Sequence, residues 1–294
     1  MSSSKSSVEV ILFYINDDQG QIEDILPAFV LNRNISAAEM LNLCVKSISR
    51  SMPSAKVILV TNHKTTIHVG IDNLEIIYAD DISHENLIID LHRFRRNYIK
   101  SKINESSNLI FTDIDVLIND NLSQVFENDF DFATTIDPAS NIHLNERGLP
   151  MNGSLMFNFT GGIYFIKCNE RVLNFYDYFI NQWTKFSMNE DFSNYGERSS
   201  EVKLQFLKWW GELHTLSVIF GREILTGVIN KKTIHQANFL FLPEIKYNFA
   251  PKLTNNNDGS MRIHLPDLKI VSMIHFRGAR KVFMPLVFNK YFED

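Results

Sequence analysis

Residues Asn108–Asp115 read Asn-Leu-Ile-Phe-Thr-Asp-Ile-Asp, and a second apolar run, Val116–Ile118, follows at once. An uncharged apolar run of this length is expected to be a strand buried on both faces. On extended backbone, residues two apart point the same way, so the carboxylates of Asp113 and Asp115 converge beyond the strand's C-terminal end. Open α/β sheets bind their ligands at that end. Two carboxylates flanked by apolar residues repel each other unless a cation neutralises them. Hard oxygen donors suit Mg²⁺ or Mn²⁺. The bland alternative is a solvated turn, since Asp-x-Asp is common by chance.

Working outward, the N-terminal half alternates strand and helix patterns. Val8–Ile15 is a strand candidate, bounded by the polar run Asn16–Gly20. Residues 36–50 carry Met40, Leu41, Cys44, Val45 and Ile48 at helical spacing, with Ser36 as N-cap and Glu39 three residues on. Lys56–Thr61 and Leu74–Tyr78 read as strands. Asn86–Asn104 reads as a long basic helix. This alternation, with near-continuous apolar strands, predicts an α/β fold with a mainly parallel central sheet covered by helices.

Beyond Asp115 the pattern is less regular. Strands are expected over 130–135 and 162–167, helices over 172–183 and 209–220, and apolar runs over 239–242 and 270–275. Residues 184–203 are polar and form the best candidate for a mobile loop. No repeat, charge block or linker divides the chain. The reading is one domain over 8–294, with a half at 8–118, a longer C-terminal half at 119–294 and a disordered tail at 1–7.

Composition excludes several classes. The chain has 294 residues, 45% hydrophobic and 21% charged, an ordinary globular balance. A formal net charge of −5 is no footprint for nucleic acid. Two cysteines, Cys44 and Cys168, build neither a disulfide framework nor a zinc ribbon, and a reducing cytoplasmic location is expected. The first residues lack the apolar core of a signal peptide, and no run is long enough to cross a bilayer. Asn-x-Ser/Thr triplets at Asn34, Asn104, Asn121, Asn152 and Asn158 are read as chance in an Asn-rich chain.

Dinucleotide and P-loop glycine signatures are absent, as are HExxH, CxxC and GxSxG. A second motif stands near the end: His275-Phe276-Arg277-Gly278-Ala279-Arg280-Lys281, after an apolar run. A neutral imidazole can ligate a divalent metal. Gly278 permits close backbone approach to a ligand. Lys281, with Arg277 or Arg280, could hold phosphate oxygens. The alternative is a surface turn with ordinary basic residues.

Together, Asn108–Asp115 and the His-x-x-Gly-x-x-Lys run at His275–Lys281 resemble glycosyltransferase family 8 and related nucleotide-diphospho-sugar transferases of the GT-A type. The likeness spans about residues 8–283. The family's Pro-Trp after the lysine is Val282-Phe283 here. Its glycine-rich strand is matched by Phe159-Thr160-Gly161-Gly162-Ile163, and its Asp-Gln pair is reduced to Glu212-Leu213. The resemblance implies a single Rossmann-like domain and sugar transfer, with retention, from a nucleotide diphosphate sugar, a UDP-sugar above all, to a glycan, lipid or protein acceptor. It implies Mn²⁺ or Mg²⁺ held by Asp113, Asp115 and His275. It places Tyr14, Asp17, Arg96, Asp113, Gly161, Gly162, Gly278 and Lys281 at the nucleotide sugar and Glu212 near the donor sugar. Arg93 and Arg95 leave the register of Arg96 open. No nucleophile is assigned.

Three other readings compete. A nucleotidyltransferase would need a basic glycine-rich loop after the first strand, and Asn16–Gly20 has neither Arg nor Lys. A metal phosphohydrolase would have a thin ligand set in one Asp-x-Asp and one distant His. A degenerate GT-A domain that binds a nucleotide sugar or a partner without transfer is kept alive by the Pro-Trp and Asp-Gln departures.

Overall fold

The computed structural model describes residues 7–15, 35–67, 74–82, 86–137, 159–189, 211–255 and 261–293. The chain divides into two compact units, each assembled from separate stretches: Met1–Tyr78, Leu109–Asn128 and Pro243–Asp294 form the first, and Ala79–Asn108 with Asp129–Leu242 the second.

In chain order the elements are β1 (Val8–Phe13), α1 (Ala37–Ser51), β2 (Lys56–Thr61), β3 (Leu74–Tyr78), α2 (Leu87–Lys102), β4 (Asn108–Thr112), β5 (Val116–Ile118), β6 (Phe132–Ile136) and β7 (Phe159–Lys167). They continue with α3 (Glu170–Asn189), α4 (Gly211–Phe220), α5 (Arg222–Leu225), β8 (Lys231–Ile234), β9 (Ala237–Pro243), α6 (Glu244–Tyr247), β10 (Lys252–Asn255), β11 (Met261–His264), β12 (Met273–His275) and α7 (Met284–Tyr291). The α/β class expected from the alternation is what forms.

In the first unit the strands order β3-β2-β1-β4, with β1, β2 and β3 parallel and Ile11 opposite Ile58. Val10–Leu12, Ile58–Val60 and Leu109–Phe111 are all fully buried, which is why these strands carry no polar alternation. Helix α1 starts where Ser36 accepts the Glu39 N–H at 3.1 Å, the cap expected from sequence. Its apolar stripe (Leu41, Cys44, Val45, Ile48) is buried, and near its end Arg50 donates to the carbonyl of Phe292, just past α7.

In the second unit the strands order β7-β6-β9-β8, with antiparallel pairs β6–β7 and β8–β9. An aromatic cluster fills its core: Phe132 lies 4.8 Å from Phe239, Phe175 lies 4.6 Å from Phe239, and Phe220 lies 4.8 Å from Phe241. Buried Asp131, just before β6, ties β9 and the start of α3 to it through its carboxylate, and its carbonyl accepts the Lys167 N–H of β7. Its carboxylate accepts from Nε and Nη2 of Arg171, from the Asn169 side-chain amide and from the Asn238 backbone N–H.

Some expected boundaries shift. Helix α3 runs on to Asn189, so residues 184–189 of the expected loop are helical, while 190–203 lie outside the described residues. The polar side chains there feed the helix's own backbone: Thr184 donates to the Ile180 carbonyl at 2.8 Å and Ser187 to that of Thr184 at 2.9 Å. The β8–β9 hairpin turns at His235-Gln236, both at positive φ, a turn whose usual Asn-Gly signal is missing from the sequence. Strand β7 begins three residues before the expected start at Gly162. The apolar run at 270–275 becomes a strand only over Met273–His275. Among the described residues, no helix is long and apolar enough to cross a membrane.

Candidate metal centre

The site begins with a short strand. After β4 the chain passes through Asp113-Ile114-Asp115 into β5, which pairs antiparallel with β12 so that His275 lies opposite Val116. The Phe276 N–H donates to the Asp115 carbonyl at 2.8 Å and continues this ladder. The register is held from both ends. Asn119 donates its side-chain amide to the carbonyls of Leu268 and Val271, and its N–H to that of Ser272. The far side of β5 is met by helix α1: Ser47 Oγ accepts the Ile118 N–H at 3.0 Å, and Ser51 donates to the Ile118 carbonyl at 2.7 Å. Ile118 is thereby bonded on the edge that faces away from β12.

This pairing brings together two motifs far apart in sequence. His275 Nε2 lies 3.2 Å from Asp115 Oδ1 and 3.6 Å from Asp113 Oδ2. The ligand atoms of all three lie within 4.8 Å of one another. His275 is buried and the Asp115 side chain is only 13% exposed, whereas the Asp113 side chain is 52% exposed, so the group opens to solvent on one side. Lys281, on the 3₁₀ turn Gly278–Phe283, places Nζ 3.6 Å from Asp115 Oδ2. Burial alone would push the Asp115 carboxyl up. Its contact with the His275 ring, and the nearby Lys281 ammonium, more than offset it, holding the carboxyl below its ordinary range. Beneath the pair sits Cys44, fully buried, its Sγ 3.9 Å from the Asp113 carbonyl; burial, then the charges of Asp115 and Asp113, drive its thiol far up, so it is no thiolate ligand.

The other nitrogen of His275 is engaged too. Nδ1 lies 2.8 Å from Asn248 Oδ1. Asn248 directly follows α6, and the stretch 246–249 runs along the edge of β12 away from β5: the Ser272 N–H donates to the Lys246 carbonyl at 2.7 Å and the His275 N–H to that of Phe249 at 2.8 Å. Nothing in the sequence around Asn248 singles it out.

Two carboxylates and an imidazole converging at this distance fit a hard divalent ion, whose bonds to such ligands run about 2.0–2.3 Å. The donor set contains no sulfur and suits Mn²⁺ or Mg²⁺ better than a soft metal.

The remaining expected site residues fall as follows. Tyr14 is buried at the end of β1, its N–H donating to the Val60 carbonyl at 3.0 Å. Asp17 lies outside the described residues. Gly278 has φ +57° and a Cβ there would meet nothing within 4 Å, so its glycine serves the left-handed turn rather than a close approach within the protein. Arg277 is tied to Glu244 and to the Asn248 carbonyl, and Arg280 to the carbonyls of Pro251 and Arg277. Of the three basic residues in the motif, Lys281 is the one beside the carboxylates.

In the second unit, Arg96 forms a two-pronged pair with Asp177 of α3, with contacts of 2.6 and 3.0 Å. The neighbouring Arg95 turns inward instead. Its Nη1 lies 3.1 Å from Glu212 Oε1, and its guanidinium sits over the Tyr164 ring at 4.9 Å. The same Glu212 oxygen accepts from Tyr164 Oη at 2.5 Å and lies 2.9 Å from His92 Nε2. Burial of Glu212 works against its charge, but His92, Arg95 and Tyr164 together hold its carboxyl far below the ordinary range. A Cβ on Gly161 would come within 3.3 Å of Leu213 Cδ2 and 3.4 Å of Tyr164 Oη, so that glycine lets α4 pack against β7. Gly162 has φ 120°, where only glycine is at ease.

No family model matches the chain, and no curated protein does. Among solved structures, the WbbM bifunctional glycosyltransferase matches with a TM-score of 0.48 at 12% identity, covering 93% of this chain and 46% of that one. The galactosyltransferase LgtC in complex with donor and acceptor sugar analogues matches with a TM-score of 0.43 at 13% identity, over 92% of this chain and 87% of that one. An active-site mutant of LgtC gives a TM-score of 0.42 at 12% identity, with the same coverage. The chain thus spans less than half the length of the first of these. TM-scores below 0.5 are too low to assign an activity from, and the reading of the site rests on its own residues.

Proposed function

We propose that the chain is a metal-dependent glycosyltransferase that moves a sugar from a nucleotide diphosphate sugar, a UDP-sugar, to a glycan, lipid or protein acceptor with retention. In this reading residues 8–294 act as one GT-A domain. The observation that carries it is the meeting of Asp113, Asp115 and His275 beside Lys281.

Asp113, Asp115 and His275 would hold Mn²⁺ or Mg²⁺. A divalent ion there supplies Lewis-acid stabilisation of a leaving diphosphate. Lys281 would add a fixed positive charge where negative charge develops on the departing oxygens. Exposed Asp113 faces the side from which a ligand enters, while buried Asp115 holds His275 and Lys281 in place. Tyr14, Asp17, Arg96, Gly161, Gly162 and Gly278 are proposed to line the nucleotide sugar, with Glu212 towards the donor sugar. A nucleotidyltransferase or phosphohydrolase finds no comparable support among the described residues.

The test is calorimetric titration of the full chain with UDP and with GDP, each with Mn²⁺ and with a chelator. Binding of UDP that requires Mn²⁺ is expected, and Asp115→Asn should abolish it while leaving the fold intact. Unchanged UDP affinity in Asp115→Asn with Mn²⁺ present would remove Asp115 from the metal site. A preference for GDP would change the donor class. Failure to bind either nucleotide, with no metal-dependent hydrolysis of UDP-sugars, would favour the degenerate, non-transferring domain.

A further inference from the structure

We infer that Asn248 is a positioning residue of the metal centre, setting the tautomer of His275 so that Nε2 is presented as a ligand. The inference rests on the metal-dependent reading above.

Asn248 is fully buried, and its backbone is held at both ends: its N–H donates to the Glu244 carbonyl at 2.9 Å, and its carbonyl accepts from Arg277 at 3.2 Å. Its side-chain oxygen lies 2.8 Å from His275 Nδ1. A carbonyl oxygen has no proton to give, so Nδ1 must carry the one shared between them. In the neutral ring this leaves Nε2 with a bare lone pair. That lone pair faces Asp115 Oδ1 at 3.2 Å and Asp113 Oδ2 at 3.6 Å. Three acceptor atoms then converge on one point, an arrangement that calls for a cation.

The opposite tautomer would put a proton on Nε2 between the carboxylates and leave Nδ1 and the Asn248 oxygen as two acceptors in contact. Burial makes that contact costly. Outer partners of this kind fix both ring orientation and ligand basicity in metal sites. Asn supplies the acceptor without adding a second buried charge to a group that already holds two carboxylates.

The test uses the full chain without nucleotide. Mn²⁺ affinity is read from the electron paramagnetic resonance of free Mn²⁺. The His275 tautomer is read from two-bond ¹H–¹⁵N correlations of the neutral, metal-free side chain, assigned by their loss in His275→Gln. Asn248→Leu should weaken Mn²⁺ binding about 10–100-fold and move the proton from Nδ1 to Nε2. Asn248→Asp, which keeps an acceptor oxygen, should restore both. Thermal melting of each variant separates these effects from loss of fold.

A folded Asn248→Leu with wild-type Mn²⁺ affinity and an Nδ1–H ring would overturn the role of Asn248 while leaving the metal centre standing. Should neither variant fold, the wild-type spectrum decides: Nδ1–H supports the assignment and Nε2–H refutes it. Failure of the wild-type chain to bind Mn²⁺ would instead overturn the metal-dependent reading itself, and this proposal with it.

Discussion

Replacing Glu212 by leucine removes the one carboxylate that three buried partners share. The Arg95 side chain is 8% exposed and lies 3.1 Å from the lost oxygen. The Tyr164 hydroxyl loses a 2.5 Å acceptor, and His92 loses a neighbour at 2.9 Å. Breaking a buried ion pair by deleting one partner costs about 3–5 kcal/mol, because the other charge is left uncompensated. A buried hydroxyl that loses such an acceptor adds roughly 1–3 kcal/mol. These contributions share a single oxygen and do not add fully, so about 4 kcal/mol is the expected loss for Glu212→Leu. Against a total stability of about 5–15 kcal/mol, that is a large fraction. The milder Glu212→Gln keeps an oxygen for Tyr164 and removes only the charge, and should cost about 2 kcal/mol. The assay is denaturant unfolding of Glu212→Leu, Arg95→Leu and the double variant, compared at equal m-value. The double variant should recover part of the loss, since an apolar pair leaves no uncompensated charge. A cost below about 1 kcal/mol for Glu212→Leu, with coupling below about 0.5 kcal/mol, would refute the argument. If such a variant also lost affinity for the donor, the carboxylate would belong to the ligand rather than to the scaffold.

Buried His214 provides a pH test, for burial lowers it to about 4. The folded chain then resists a proton that the unfolded chain accepts, so this group's contribution is complete above the ordinary histidine range. It fades by up to about 3 kcal/mol as pH falls from about 6.5 to 4. His214→Phe should flatten the stability profile in that window; an unchanged slope would remove His214 as its source. Gly278→Ala should cost about 1–2 kcal/mol through its left-handed backbone alone, since no neighbour crowds the new methyl. Equal melting temperatures would show that the turn relaxes freely.

Much of the first unit was readable in advance. The central runs Val10–Leu12, Ile58–Val60 and Leu109–Phe111 of β1, β2 and β4 are apolar because both faces are covered, so their pattern carries their burial. Ser36 and Glu39 announce the start of α1 through a hydrogen bond three residues long. Asp113 and Asp115 do come together, but across the bend between β4 and β5 rather than on extended strand, and Lys281 follows from its motif. Local chemistry of this kind needs no knowledge of distant neighbours.

Other features depend on partners remote in sequence. Arg93, Arg95 and Arg96 are equivalent to a motif reader. Packing alone turns Arg95 inward to Glu212, leaves Arg96 with Asp177 and gives exposed Arg93 to Asp90. Residues 184–189 read as loop because the Thr184 and Ser187 hydroxyls bond to helix carbonyls that the one-dimensional pattern does not display. His275 reaches Asp113 and Asp115 only because β12 pairs with β5, and Asn248 reaches the His275 ring only because its segment lies along the other edge of that strand. Residue type and spacing thus determined which side chains of this chain are able to bind a cation. The strand register decided which of them meet, because hydrogen bonds between remote segments set distances that no local pattern encodes.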